Sequence, residues 1–299
     1  MHDILGGAQR KRTRKRGFAP WRPDVATQAL LDQVRAVLEE YAAHLPLTIR
    51  QIFYRLVAAH DFPKTDGDYK RLCRALNRAR RAEIISMEDI RDDGATILKP
   101  YTYDGVEDFL ATVRRDAEHL RLDRTIGQPV RLVVQCEAAG MAPQLEQVAR
   151  EYGIAVMANG GFDSLTDKHN FAEEIADQER PTEVLHIGDH DPSGAHIFLA
   201  LSEDVTAFTE RLGGEVTFTR LAVTPAQIKR YRLPTAPPKP TDNRAFSGQT
   251  CQAEALPPDV LANILRTAIT DRLDERAYKR VLQAERKARR TVMARLGVP

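Results

Sequence analysis

Between residues 24 and 44 apolar side chains recur at Ala29, Leu30, Val34, Val37, Leu38 and Tyr41. That three-to-four spacing predicts an amphipathic helix, with Asp24 placed to cap it. Pro46 closes the pattern, and Thr48 stands ready to cap a second helix whose stripe is Ile49, Ile52, Phe53, Leu56 and Val57. The breakers in HDFPKTDG make a turn, after which a third helix from about Asp68 to Arg81 buries Tyr69, Leu72, Cys73, Leu76 and Ala79.

The remaining faces of this third helix carry Lys70, Arg71, Arg74, Asn77, Arg78, Arg80 and Arg81. Helix, turn, basic helix and a short apolar run at Glu83–Ser86 resemble a helix-turn-helix with a wing, and Lys70, Arg74, Asn77 and Arg81 form its expected DNA-facing side. An arginine-rich helix on an ordinary solvated surface has the same composition.

A further helix spans 105–121, and then the period changes. Residues 130–136 (VRLVVQC), 154–158 and 183–187 read as strands, alternating with helices at 141–152, 165–178 and 194–203. This alternation predicts a parallel sheet with crossover helices, so an α/β domain starts near residue 129. The proline-rich stretch 233–240 is a stiff connector, followed by helices at 259–273 and 275–296, the second of them basic.

Charge changes this picture. The whole chain of 299 residues balances at +2, but residues 1–23 carry +6, 48–91 carry +4 and 205–299 carry +8, while 129–204 carry −10. Basic flanks suit a polyanion, whose condensed counterions are released on binding. The acidic centre would repel that polyanion unless a divalent cation neutralises it. The run RKRTRKR at 10–16 suits a basic arm on DNA or an inert solubilising tail. The three cysteines, Cys73, Cys136 and Cys251, are too far apart for a CxxC metal pair, and Cys73 falls on a core stripe. No signal-peptide core and no membrane-length apolar run is present, so the expectation is a cytoplasmic protein away from membranes.

The acids cluster where such sheets do chemistry, at the carboxyl ends of strands. Glu137 directly follows the first strand, and the third runs into Gly188-Asp189-His190-Asp191-Pro192-Ser193-Gly194. If those strands are neighbours, Glu137, Asp189 and Asp191 converge, and a hard cation such as Mg2+ relieves their repulsion. A plainer alternative is that Asp189 and Asp191 cap the next helix. His186 and His190 flank the motif in supporting positions, Asn159, Gly160 and Gly161 shape its rim, and the spacing of Glu254 ties it to no motif.

A strand-terminal Glu followed by GDHDPSG resembles the Toprim domain, the magnesium-binding module of topoisomerases, primases and related nucleases. LTIRQIFYRLV at 47–57 resembles the tyrosine motif of the topoisomerase VI A subunit and its meiotic double-strand-break relatives. Together the resemblances span about 45–225. In that family an Arg precedes the catalytic Tyr by four residues on a winged-helix domain, positions that fall here on Arg50 and Tyr54. The resemblance implies a homodimer in which the Tyr of one chain attacks DNA beside the metal site of the other. Tyr54 also sits beside the apolar stripe, where it could simply pack. Relatives of the mobile-element type often carry Lys after the Toprim Glu, whereas Ala138 stands here.

The sequence thus predicts an α/β protein. Residues 1–23 form a basic arm, 24–125 a winged-helix domain, 129–232 a Toprim-type domain with a parallel sheet, and 233–299 a connector with basic helices. The expected activity is magnesium-dependent cleavage of double-stranded DNA through a tyrosyl intermediate, with Tyr54 as nucleophile, Arg50 as its phosphate partner, and Glu137, Asp189 and Asp191 as metal ligands. Strand passage would need a separate ATPase subunit. The alternatives are a hydrolytic Toprim nuclease that ignores the tyrosine and a non-catalytic DNA-binding protein.

Overall fold

A computed structural model describes residues 18–91, 100, 102–158, 165–239 and 246–297. The run at 10–16 and Asn159, Gly160 and Gly161 lie outside the described residues. The chain is a mixed α/β structure with two parallel sheets.

Helix α1 (Val25–Glu40) starts where Asp24 accepts the Thr27 N–H at 2.7 Å, and it buries Leu30, Leu31, Val34, Val37 and Leu38. Ala29, expected on that stripe, is exposed, because Leu31 takes the inward position. Strand β1 (Leu47–Thr48) leads into α2 (Ile49–Ala59), whose capping box pairs Thr48 with Gln51 in both directions. Helix α3 (Asp66–Arg81) is capped by Thr65, so it begins earlier than its apolar spacing indicates. Cys73, expected in the core, is only partly buried.

The apolar run at Glu83–Ser86 does not form a strand. Glu83 adopts φ +57° and ends α3: the Ile84 N–H reaches back to the Ala79 carbonyl and the Glu83 N–H to Arg80, a Schellman closure. The apolar residues therefore pack under the helix end, with Ile85 buried. Extended pairing occurs further on, where β2 (Ile90–Arg91) runs parallel to β1.

After α4 (Val106–Glu118), four parallel strands form the main sheet: β3 (Arg131–Cys136), β4 (Ala155–Ala158), β5 (Thr182–Ile187) and β6 (Val216–Ala222), in the order β4-β3-β5-β6. Helices α6 (Leu165–Ala176) and α7 (Pro192–Arg211) cover one face, burying Phe171, Ile175, Leu201 and Val205 against Val133 and Val184. On the opposite face Leu132, Val134 and Leu185 join a larger core that includes α5 (Ala142–Ala149) and α9 (Pro258–Thr270). That core continues into Leu31, Leu56 and Leu76 of α1–α3, so the N-terminal helices and the sheet share one apolar interior. Helix α8 (Pro225–Arg230) follows β6, and α10 (Glu275–Arg295) ends the described chain.

The chain leaves β3 for β4 on one side and returns to β5 on the other. The crevice beyond the carboxyl ends of β3 and β5 is therefore the topological switch point of the sheet, the usual ligand position in open α/β sheets. Two later segments cross this end. Ala236 and Thr250 pair through reciprocal backbone bonds, as do His190 and Cys251, and residues 253–255 make a 3-10 turn under α2. Among the described residues no helix is long and apolar enough to cross a membrane.

Candidate active site at the carboxyl end of the sheet

Glu137 sits one residue past β3, its N–H donating to the Ile187 carbonyl at 2.9 Å, so β5 extends the pairing to the acid. Its Oε2 accepts the Asp189 N–H at 3.0 Å. Asp189 Oδ1 accepts the Ala253 N–H at 2.8 Å, and Asp191 Oδ1 caps α7 by accepting the Gly194 N–H at 2.7 Å. Each carboxylate thus has one oxygen on a backbone amide, and Asp191 takes the capping role that its position before a helix allowed.

The two glycines of the GDHDPSG loop serve close approach. A Cβ at Gly188 would stand 2.6 Å from Glu137 Oε2, and one at Gly194 would stand 3.0 Å from the same oxygen while colliding with the Asp189 carbonyl. Only glycine lets the backbone wrap this carboxylate.

Burial and the neighbouring Asp189 charge push the Glu137 carboxyl up to about 7, against the Asp189 N–H that lowers it. Asp189 is also raised, first by burial and then by Asp191. Arg220 on β6 moderates both: its guanidinium donates to the Asp189 carbonyl, and its charge opposes theirs. Burial holds the His186 imidazole down to about 3, with Arg220 adding to the effect. Its ring is fully buried 4.6 Å from that of Phe198, and no hydrogen-bond partner for either ring nitrogen is present among the described residues.

Among the described residues no group of three or more His, Cys, Asp or Glu side chains is arranged to hold a metal ion. The backbone amides draw the three expected ligands, Glu137, Asp189 and Asp191, toward separate partners. The residues nevertheless fit Mg2+ in its ordinary protein mode, which uses one or two carboxylates and keeps several waters. Raised acids of like charge at a switch point also gain from a hard cation.

Helix α2 brings the second half of the site. Thr48 Oγ1 donates to Glu254 Oε1 at 2.9 Å, Gln51 Nε2 to Gln144 Oε1 at 2.7 Å, and Arg55 to the Ala255 carbonyl. The Tyr54 hydroxyl donates to Gln252 Oε1. Tyr54 is 6% exposed, with the Lys64 ammonium 5.5 Å from its ring centroid. Burial raises its hydroxyl well above the usual range, while the Arg50 charge pulls it down. Arg50 stands on the open side of α2, half-exposed, with Nε 3.9 Å from Glu254 Oε2.

One short segment therefore serves both halves. Gln252 accepts from Tyr54, Ala253 donates to Asp189, and Glu254 meets Thr48 and Arg50. These contacts lie within a single chain.

On α3, Lys70, Arg74 and Asn77 are exposed, whereas Arg81 is partly buried and donates to Asn77 Oδ1 at 3.1 Å. Part of this helix is covered: the Ala19 N–H donates to the Arg81 carbonyl, and Trp21 lies 5.4 Å beneath the Arg78 guanidinium. A cleft of about 740 Å³ opens between Trp21, Thr27, Arg71, Arg74, Asn77 and Arg78.

Sequence reasoning missed Arg220 and Gln252 and gave Glu254 little force. The alternating stretch Val216–Ala222 was a usable strand signal, and with it Arg220 would have fallen near the sheet end. Nothing local marks Gln252, whose role comes from a long-range crossing. Compared with known proteins, the chain matches no family model and no curated protein.

Proposed function

We propose that the chain is a magnesium-dependent DNA-cleaving transesterase resembling the topoisomerase VI A subunit, with α1–α3 as its winged-helix part and the four-stranded sheet as its Toprim part. One observation carries the reading: adjacent residues Gln252 and Ala253 bind the Tyr54 hydroxyl and the Asp189 carboxylate, tying the nucleophile to the acidic loop. Bound Mg2+ would neutralise charge on the scissile phosphate, held through one or two of Glu137, Asp189 and Asp191 together with waters.

The residues divide the remaining work. Tyr54 leaves Gln252 and its oxygen bonds to phosphorus as the bond from phosphorus to the 3′ oxygen breaks. In balance, the 3′ oxygen gains the proton the phenol loses. Arg50, four residues before Tyr54 and on the open side, binds the phosphate and favours the phenolate. Lys70, Arg74, Asn77 and Arg81 bear on the duplex backbone. Double-strand cleavage takes two such sites and hence a homodimer, and strand passage takes a separate ATPase subunit.

A hydrolytic nuclease is the second reading, favoured by the burial of Tyr54, since the three acids are only partly buried. Supercoiled DNA incubated with magnesium and quenched in denaturant separates the two. The first reading gives DNA covalently attached to protein, lost in Tyr54→Phe and in Asp189→Ala. Free 5′ phosphates with undiminished cutting by Tyr54→Phe would establish hydrolysis instead.

A further inference from the structure

Beside the acidic loop, and outside the arrangement just described, lies an open cleft of about 490 Å³ lined by His190, Pro225, Ile228, Phe246, Ser247 and Gln249. Its volume is within the range of about 300–1,000 Å³ typical of small-ligand sites. The His190 and Phe246 rings are in tilted contact, their centroids 5.1 Å apart at 58°. His190 is fixed from behind, its N–H donating to the Cys251 carbonyl at 2.8 Å and its carbonyl accepting the Cys251 N–H at 2.9 Å. At the rim Gly248 has φ +101°, and a Cβ there would meet nothing within 4 Å, so the mouth is open.

The position of this cleft in the chain is informative. His190 lies between Asp189 and Asp191, with each neighbouring Cα about 3.8 Å away. A phosphate at the acids would thus lie one residue along the backbone from the wall of the cleft. Pro225 and Ile228 add apolar wall, and Ser247 and Gln249 add hydrogen-bonding groups near the mouth. Flat aromatic surface with a few polar groups is the chemistry that holds an unstacked base.

We propose that this cleft binds a nucleobase swung out of DNA next to the phosphate held at the acidic loop. The inference rests on the proposed function and deepens it: the enzyme prefers cleavage sites where a base is already unpaired or easily unstacked. The base stacks on Phe246, which His190 backs from the side, and its edge is read by Ser247 and Gln249.

The experiment measures binding, not cleavage, with the 299-residue chain. Two duplex oligonucleotides are compared, one with a single unpaired 2-aminopurine and one with an abasic residue at the same place, and free deoxyadenosine monophosphate serves as a third ligand. Wild-type protein quenches the 2-aminopurine and binds that duplex more tightly than the abasic one. Phe246→Ala lowers affinity for the base-bearing duplex by about tenfold, the scale of one lost stacking partner, and leaves the abasic duplex unchanged. Phe246→Trp restores binding, and Ile228→Trp, which fills the cleft, reproduces the loss.

Equal effects of Phe246→Ala on both duplexes, or none on either, overturn the base pocket while salt-dependent DNA binding leaves the enzyme reading intact. Binding of the free nucleotide as tight as that of the oligonucleotide, and dependent on Phe246, overturns the assignment to DNA and makes this a nucleotide site. Failure to bind any of the three ligands removes both proposals.

Discussion

Thr48 and Glu254, 206 residues apart in the chain, meet in a buried hydrogen bond of 2.9 Å that joins the start of α2 to the segment crossing the sheet end. Thr48 is therefore doubly used, since the same Oγ1 accepts the Gln51 N–H as the cap of α2. Glu254 is doubly used as well, with its other oxygen facing Arg50. Glu254→Ala should cost about 1–3 kcal/mol, the scale for stranding a buried polar partner, read as a lower urea midpoint. Glu254→Gln should recover most of that stability but not the charge beside Arg50. In the proposed enzyme it should weaken DNA cleavage while the fold survives. A Glu254→Ala protein as stable as the parent would mean that the contact contributes nothing.

Glu137 makes stability depend on pH in an unusual direction for a carboxylate. Its folded value of about 7 lies above the ordinary 4.5, so between those limits the folded chain binds more protons than the unfolded one. The contribution of this group is therefore fully present below about 4.5 and lost as pH rises through about 7. The group is partly solvated, so the discounted effect is about 1–2 kcal/mol. Urea titrations at pH 5 and pH 8 without divalent ions should give a slope that Glu137→Gln removes. Magnesium should stabilise the parent more at pH 8 than at pH 5, because binding to a carboxylate competes with its proton.

The two loop glycines are predicted to be intolerant for one shared reason. Gly188→Ala brings a methyl to 2.6 Å from Glu137 Oε2 and 2.5 Å from the His186 ring; the carboxylate can swing aside, but the fully buried ring cannot. A cost of about 1–3 kcal/mol is expected from overpacking, together with a displaced Glu137. Gly213→Ala makes a useful contrast: a Cβ there meets nothing within 4 Å, and only its φ of +86° opposes the change. Thermal unfolding of the two variants should place Gly188→Ala lower, and in the proposed enzyme cleavage should suffer in that variant alone.

These sites differ in how far the sequence foretold them. Asp24 and Thr48 announce their helices because a cap acts within three residues, and the alternation of strands and helices from 130 onward locates Glu137 and Asp189 at strand ends, which the pairing of β3 with β5 makes adjacent. The run at Glu83–Ser86 misleads because a single left-handed residue turns an apolar stretch into a helix stop. Gln252 and Glu254 were opaque for another reason. Their partners, Tyr54 and Thr48, are about 200 residues away in sequence, and only the folding of 246–257 across the sheet end brings them together. Local pattern foretells caps, periods and strand ends, whereas contacts made by a crossing loop belong to the tertiary structure.

The exposed face of α3 gives a last test that does not depend on cleavage. Lys70 and Arg74 are both open to solvent, and among the described residues the Arg74 Nε–H donates to its own helix, to the Lys70 carbonyl at 3.2 Å, so replacing either should hardly disturb the fold. If they contact duplex phosphates, each contact releases about one condensed counterion, and log affinity falls with log salt by roughly 0.9 per contact. Lys70→Ala with Arg74→Ala should therefore flatten the salt slope by about two and weaken binding to all sequences alike. Arg35→Ala is a suitable control, because that residue pairs with Asp32 at 3.1 Å on a different helix. Fluorescence anisotropy of a labelled duplex between 50 and 200 mM salt, a range over which such slopes are large, provides the measurement. An unchanged slope in the double variant, with α-helical content intact, would remove α3 from the proposed DNA interface.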